Sequence, residues 1–95
     1  MYYIKGHGWV HILPSARKHG VGDGDILHVL VHAVLRLMAM DEGPGVTLHL
    51  GADSAGRLME VITVRATDDV GRVIHAMAMR RKYVSYLTEG RRHDG

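Results

Sequence analysis

The stretch Arg72–Leu87 holds the residues best suited to chemistry: an apolar, strand-like run carries His75 and ends in the adjacent cations Arg80, Arg81 and Lys82, followed by Tyr83. Histidine is the side chain that most readily takes and gives protons near neutral pH. Guanidinium groups bind phosphate oxygens and stabilise charge that builds on them in a transition state. A helix beginning at these cations would add backbone N–H donors for the same anion. Tyr83 and Tyr86 present rings that either stack on a base or pack a helix onto a sheet. A proton-transfer group, a phosphate-binding cluster and a stackable phenol suit cleavage of a phosphodiester. The plainer alternative is a partly buried histidine bonded to Glu60 across a sheet, beside an ordinary basic turn.

A second cationic group, Arg17-Lys18-His19-Gly20, lies early in the chain. Lys18 can hold a phosphate, and His19 can either join it or sit at a helix C-terminus, where a cation is favoured. His28 and His32 are four apart on a predicted helix, the spacing at which two imidazoles can share a metal. Position 29 is valine, so the His-Glu-x-x-His pattern is absent, and Arg36 follows on the same stripe. No metal site is expected there, and the pair reads as solvated surface. Gly6-His7-Gly8 lacks phosphate-loop spacing, no Ser-His-Asp pattern stands out, and no cofactor is implied.

Composition narrows the class. Ninety-five residues make one domain, with residues 1–87 as its body and 88–95 as a tail expected to be disordered. A chain of this size buries only about 60–65% of its unfolded surface, so a homodimer or another partner would help it. There is no cysteine, hence no disulfide framework and no thiolate site, which fits a cytoplasmic protein. No apolar run approaches the roughly 18 residues of a membrane span. The formal charge is only +2, but cations gather at Lys5, residues 17–19, 80–82 and 91–93, while acids gather at apparent turns and caps. That separation suggests an anionic partner, nucleic acid before membrane.

The elements that must position these residues follow from patterning. Trp9–Leu13 reads as a first strand. Ser15 is a candidate cap for a short helix Ala16–His19 that stops at Gly20. Asp23 caps a second helix, in which Ile26, Leu27, Leu30, Val31, Val34, Leu37 and Met38 form one stripe. Asp41–Gly45 is a loop. Val46–Leu50 and Arg57–Ala66 form a hairpin about the turn Asp53-Ser-Ala-Gly56, and Arg72–Ala78 is a third strand. In it His75 would share a face with Val73 and Met77, and in the strand before it Glu60 would share one with Leu58, Ile62 and Val64. A short helix over Arg80–Leu87 closes the chain. The sum is an α+β domain, an antiparallel sheet with two N-terminal helices and a short C-terminal one.

Three segments carry a family likeness. Ser15-Ala-Arg-Lys-His-Gly-Val21 resembles the Lys-His-Gly-Val segment early in BrnT-type toxins of the RelE superfamily. Leu48–Val61, with its Leu-Gly stretch, small-residue turn and Gly-Arg-Leu, resembles their central hairpin. Val73-Ile-His-Ala and the basic residues after it resemble their closing strand and basic helix. The likeness covers roughly residues 15–87 and extends to small actinobacterial relatives of the family that carry His-Ala-Met here. It implies a small microbial-ribonuclease-type fold and the toxin of a type II toxin–antitoxin pair. Such a toxin cleaves RNA without a metal, by attack of the ribose 2′-OH on the adjacent phosphate. A cognate antitoxin protein covers the site, and the complex binds operator DNA. By position, Lys18 and His19 match the family's Lys-His pair, and Arg81 and Lys82 match its basic helix.

The family's Ser-Ala-Arg becomes His75-Ala76-Met77, so the arginine expected at position 77 is missing. On this reading His75 is the general acid/base, and Arg80, Arg81 and Lys18 bind and stabilise the phosphate. Glu60 orients His75 or serves as partner base. Lys82, Tyr83, His19 and Arg17 contact RNA. The alternative is a toxin-like module that binds nucleic acid or antitoxin without cleaving.

Overall fold

The computed structural model describes residues 1–39 and 42–92. Strands β1 (Tyr2–Ile4) and β2 (Gly8–Ile12) come first, then a 3-10 helix (Pro14–Arg17) and helix α1 (Asp23–His32). Strands β3 (Leu35–Met38), β4 (Val46–Ala52), β5 (Leu58–Arg65) and β6 (Gly71–Ala78) follow, and helix α2 (Arg81–Arg92) closes the described chain. The six strands form one sheet in the order β1-β2-β6-β5-β4-β3. The fold is α+β, as the patterning predicts, but the sheet is mixed: β2 pairs with β6 in parallel, Val10 against Gly71 and Ile12 against Val73.

The core explains that pairing. On β2, Val10 and Ile12 are buried with Val61, Val73 and Ala76 of the central strands, and Ile26, Val29 and Leu30 of α1 cover them. Placing β2 at the free side of β6 brings its alternate apolar residues under α1, on the same sheet face as the others. Tyr2–Ile4 extends the sheet by a tight hairpin whose turn uses Gly6 and Gly8 at positive φ.

Several sequence expectations change. The helical stripe continued to Met38, yet α1 stops at His32 and Leu35–Met38 is an edge strand against β4. Leu-Arg-Leu-Met alternates, and strand pairing there satisfies backbone groups that a longer helix would aim elsewhere. Ala33 turns extended at ψ 133°, and a side chain on Gly51 would begin 3.0 Å from its Cα, a tight approach that glycine relieves. The inward face of α1 is therefore Ile26, Val29 and Leu30, while Val31 and Val34 are exposed. The first predicted helix is a single 3-10 turn, so one α-helix, not two, precedes the main strands. Ser15 lies inside that turn and donates its hydroxyl to the Ile74 carbonyl at 2.8 Å rather than capping. Asp23 is the first residue of α1, not its cap; its carboxylate accepts from Arg17 and from the Tyr2 hydroxyl.

Other expectations match. The β4–β5 hairpin pairs Val46–Ala52 with Leu58–Val64 in antiparallel register. Its turn is held by Asp53, whose Oδ1 accepts the N–H groups of Ala55 and Arg57 and whose Oδ2 accepts the Arg57 guanidinium. Those donors, the Arg57 N–H first, hold the Asp53 carboxyl below its ordinary range. Gly20, at φ +76°, ends the turn that follows the 3-10 segment rather than the segment itself, and its N–H bonds the Arg17 carbonyl at 3.1 Å. One expectation is corrected here: the closing helix runs five residues beyond Leu87, to Arg92, so residues 88–92 of the expected tail are helical, and residues 93–95 lie outside the described ones. Met40 and Asp41, at the start of the predicted 41–45 loop, also lie outside them, as do the side chains of the 91–93 basic group.

On the α1 side of the sheet, the His49 ring meets the Thr63 hydroxyl at 2.8 Å, and its Nδ1 is buried with no partner among the described residues. Burial, then the nearby Arg36 charge, pushes His49 down to about 4. The unfolded chain therefore takes up this proton at a higher pH than the folded one. Stability from a neutral His49 is present above about 6.5 and is lost as pH falls through about 4, a change of up to about 3 kcal/mol. Urea denaturation between pH 7 and 4 should show this loss, and His49→Gln should flatten that part of the profile. An unchanged slope in the variant would place the titrating group elsewhere.

Candidate active site

A β-bulge sets the site. Between β5 and β6 the register shifts: Ile62 faces His75, but Thr63 faces Val73, so Ile74 has no partner. The extra residue reverses the alternation along β6. Val73 and Ala76 consequently both enter the core, and His75 points to the opposite face with Ile62 and Glu60. The grouping of His75 with Val73 by simple alternation is thus corrected. No run of residue types signals the bulge; Ser15 marks it by bonding the Ile74 carbonyl.

Glu60 is the centre of the arrangement. Its side chain is wholly inaccessible, although its neighbours in β5, Met59 and Val61, are core residues facing α1. A buried carboxylate must be paired and hydrogen-bonded, and this one accepts three bonds. Oε1 accepts from Arg80 Nε at 2.7 Å and His75 Nε2 at 2.9 Å; Oε2 accepts from the Arg80 backbone N–H at 3.2 Å. Because Nε2 donates to Glu60, the neutral ring keeps its lone pair on Nδ1. The carboxylate fixes both the tautomer and the tilt of the imidazole, which is 23% exposed. The plainer reading of His75 and the chemical one thus meet in one geometry: it is bonded to Glu60, and its other nitrogen is free to act as a base.

The 3-10 helix brings His19 to the same place. Its ring stands 5.7 Å from that of His75, centroid to centroid and nearly perpendicular. His19 is exposed, as is Lys18 beside it. Two imidazoles that close, one held by a carboxylate and one exposed, can act as base and acid on one group bound beside them. Residue spacing gives no hint of this meeting, because 56 residues separate the two in sequence and only the β2–β6 pairing unites them.

The cations divide. Arg81 and Lys82 are exposed at the first turn of α2, which contains no acidic residue. The positive end of the helix dipole and two cations with no ion-pair partner among the described residues together favour an anion there. Arg80 is occupied by Glu60 and lies 5.4 Å from the Tyr83 ring centroid, with Lys82 Nζ at 4.9 Å. Tyr83 is half-buried and Tyr86 exposed, their rings 5.9 Å apart. Arg17 does not join the site as a free cation: it makes a two-pronged pair with Asp23 at 2.8 and 3.0 Å. That pair, Arg17 first and then the Tyr2 hydroxyl, holds the Asp23 carboxyl below its usual range.

His28 and His32 stack at 4.5 Å, and the His28 Nδ1 lies 3.2 Å from the Ala52 carbonyl, which makes this ring a link between α1 and β4. Arg36 reaches the Leu30 carbonyl from β3 rather than from the helix. Among the described residues no three His, Asp or Glu side chains converge as a metal site, and no helix is long and apolar enough to cross a membrane. Comparison with protein-family models, with curated proteins and with solved structures gave no match to this chain.

Proposed function

We propose that this chain is a metal-independent endoribonuclease of the BrnT type, acting in the cytoplasm as the toxin of a toxin–antitoxin pair. The observation that carries the catalytic part is the Glu60–His75 hydrogen bond with the His19 ring set against it. His75 Nδ1 takes the proton of a ribose 2′-OH, and the oxygen forms a bond to the adjacent phosphorus. The bond from phosphorus to the 5′-oxygen breaks, and protonated His19 supplies that oxygen's proton. The products are a 2′,3′-cyclic phosphate and a 5′-hydroxyl. Lys18, Arg81 and Lys82 hold the non-bridging oxygens, where charge builds in the transition state. Glu60 stabilises the imidazolium that forms on His75. An antitoxin that neutralises these cations silences the enzyme, and the pair binds operator DNA.

Incubating the purified chain, freed of any bound partner, with RNA and a chelator should yield fragments with those two ends, and induced expression should arrest growth. Wild-type protein that does neither overturns the proposal. One observation favours a second reading: Met77 stands where the family has an arginine, and the nearest guanidinium, Arg80, is spent on Glu60. A non-catalytic module predicts RNA affinity that falls steeply with salt, and no fragments.

A further inference from the structure

The face of the sheet that carries His75 extends across β6 to β2 and β1, where it bears an exposed aromatic pair. Val10 and Ile12 point into the core, so Trp9 and His11 point the other way, as does Tyr3, which pairs with Trp9 in register. Trp9 is 51% and Tyr3 61% exposed, and their rings meet edge to face with centroids 5.2 Å apart. Large aromatic rings left this open beside a polar site are uncommon unless something covers them.

We propose that Tyr3 and Trp9 form a stacking platform for unpaired bases of a single-stranded RNA whose phosphate lies at His75. Three observations select this occupant. Trp9 lies roughly 16 Å from His75 by strand geometry, a few nucleotides along an extended strand. The surroundings are basic or neutral: Lys5 is exposed in the β1–β2 turn, and His11 is exposed on the same face of β2 as Trp9. Two carboxylates of the β5–β6 turn are already paired, Asp68 with Arg72 at 2.6 Å and Asp69 with Arg65 at 3.2 Å. Stacking planes beside a cationic path are how proteins hold single strands without reading their sequence. The choice of RNA rests on the ribonuclease reading; the platform itself rests on the aromatic pair.

Trp9 is the only tryptophan of the chain, so its emission reports on the platform directly. The probe is a single-stranded oligouridylate of about ten nucleotides, 2′-O-methylated so that it cannot be cleaved. It should quench Trp9 saturably, and the corresponding duplex should do so far less. Trp9→Ala should weaken binding, read by anisotropy of a labelled strand, by about tenfold or more, while cleavage of a dinucleotide too short to reach the platform is unchanged. Binding without quenching, an affinity within about twofold of wild type in the variant, or no binding at all overturns the proposal. So does emission that changes only with protein concentration, which gives the face to a second copy. Quenching that persists where RNA is never cleaved removes the ribonuclease reading and leaves the platform standing.

Discussion

On the proposed ribonuclease reading, replacing His75 with alanine should lower RNA cleavage by about 100- to 10,000-fold, the usual contribution of one proton-transfer group, and so raise the barrier by about 3–5 kcal/mol. The fold survives the change. His75 is partly exposed, and Glu60 keeps both bonds from Arg80 when the imidazole goes. Losing one hydrogen bond of three costs about 1 kcal/mol. Circular dichroism and a urea midpoint close to wild type, together with fragments lost and growth arrest relieved, is the expected set. His19→Ala should lose activity on the same scale, and the double variant should lose little more than the worse single one, because the two act in one step. A His75→Ala protein that cleaves like wild type would remove the dyad from the mechanism.

Replacing Arg80 with alanine acts on the other side of Glu60 and mainly costs stability. The carboxylate is wholly buried, and its strongest bond is the 2.7 Å contact with the guanidinium. Removing one partner of a buried pair leaves an uncompensated charge and costs about 3–5 kcal/mol where both are buried. Arg80 is 42% exposed, so solvent already screens the pair and about 2 kcal/mol is the better figure. Adding Glu60→Met to Arg80→Ala should restore much of that loss, because an apolar side chain of similar size needs no partner. Urea denaturation of the two variants decides: a double variant less stable than Arg80→Ala alone would mean that the buried charge is not the problem. Activity divides in the opposite direction. Arg80→Ala retains a Glu60–His75 dyad, and the stabilised double variant lacks it.

The sequence made the strand hairpin of β4 and β5, the β6 strand and the closing helix legible because each carries its own punctuation. Asp53 and Gly56 announce one turn, and the alternation of Leu48 and Leu50 announces a half-buried strand. Leu35–Met38 carries two periods at once: Leu37 and Met38 continue the helical stripe, whereas Leu35 and Leu37 alternate with Arg36 and Met38 as in a strand, and only the partner β4 decides between them. At the site, the types His75, Glu60 and Arg80 were visible, and their contact follows from adjacent strands. The direction of His75 was not visible, because a bulge at Ile74 has no composition of its own. Nor was the approach of His19, which depends on a pairing between distant strands. Tyr3 and Trp9 carry no signal of their own in the sequence, for a related reason. Their exposure becomes meaningful only once Val10 and Ile12 are known to face α1.

The parallel pairing of β2 with β6 also governs when the molecule can exist as a working unit. Val10 must wait for Gly71, and Ile12 for Val73, so β2 is held without its β6 partner until the residues of β6 have been made. Closing so long a loop delays folding and favours a late, concerted collapse over stepwise assembly. His19 and His75 come together only in that final event. A partner that recognises the finished face therefore meets its target only after synthesis of β6, whereas one that captures β2 alone could keep the two histidines apart from the outset.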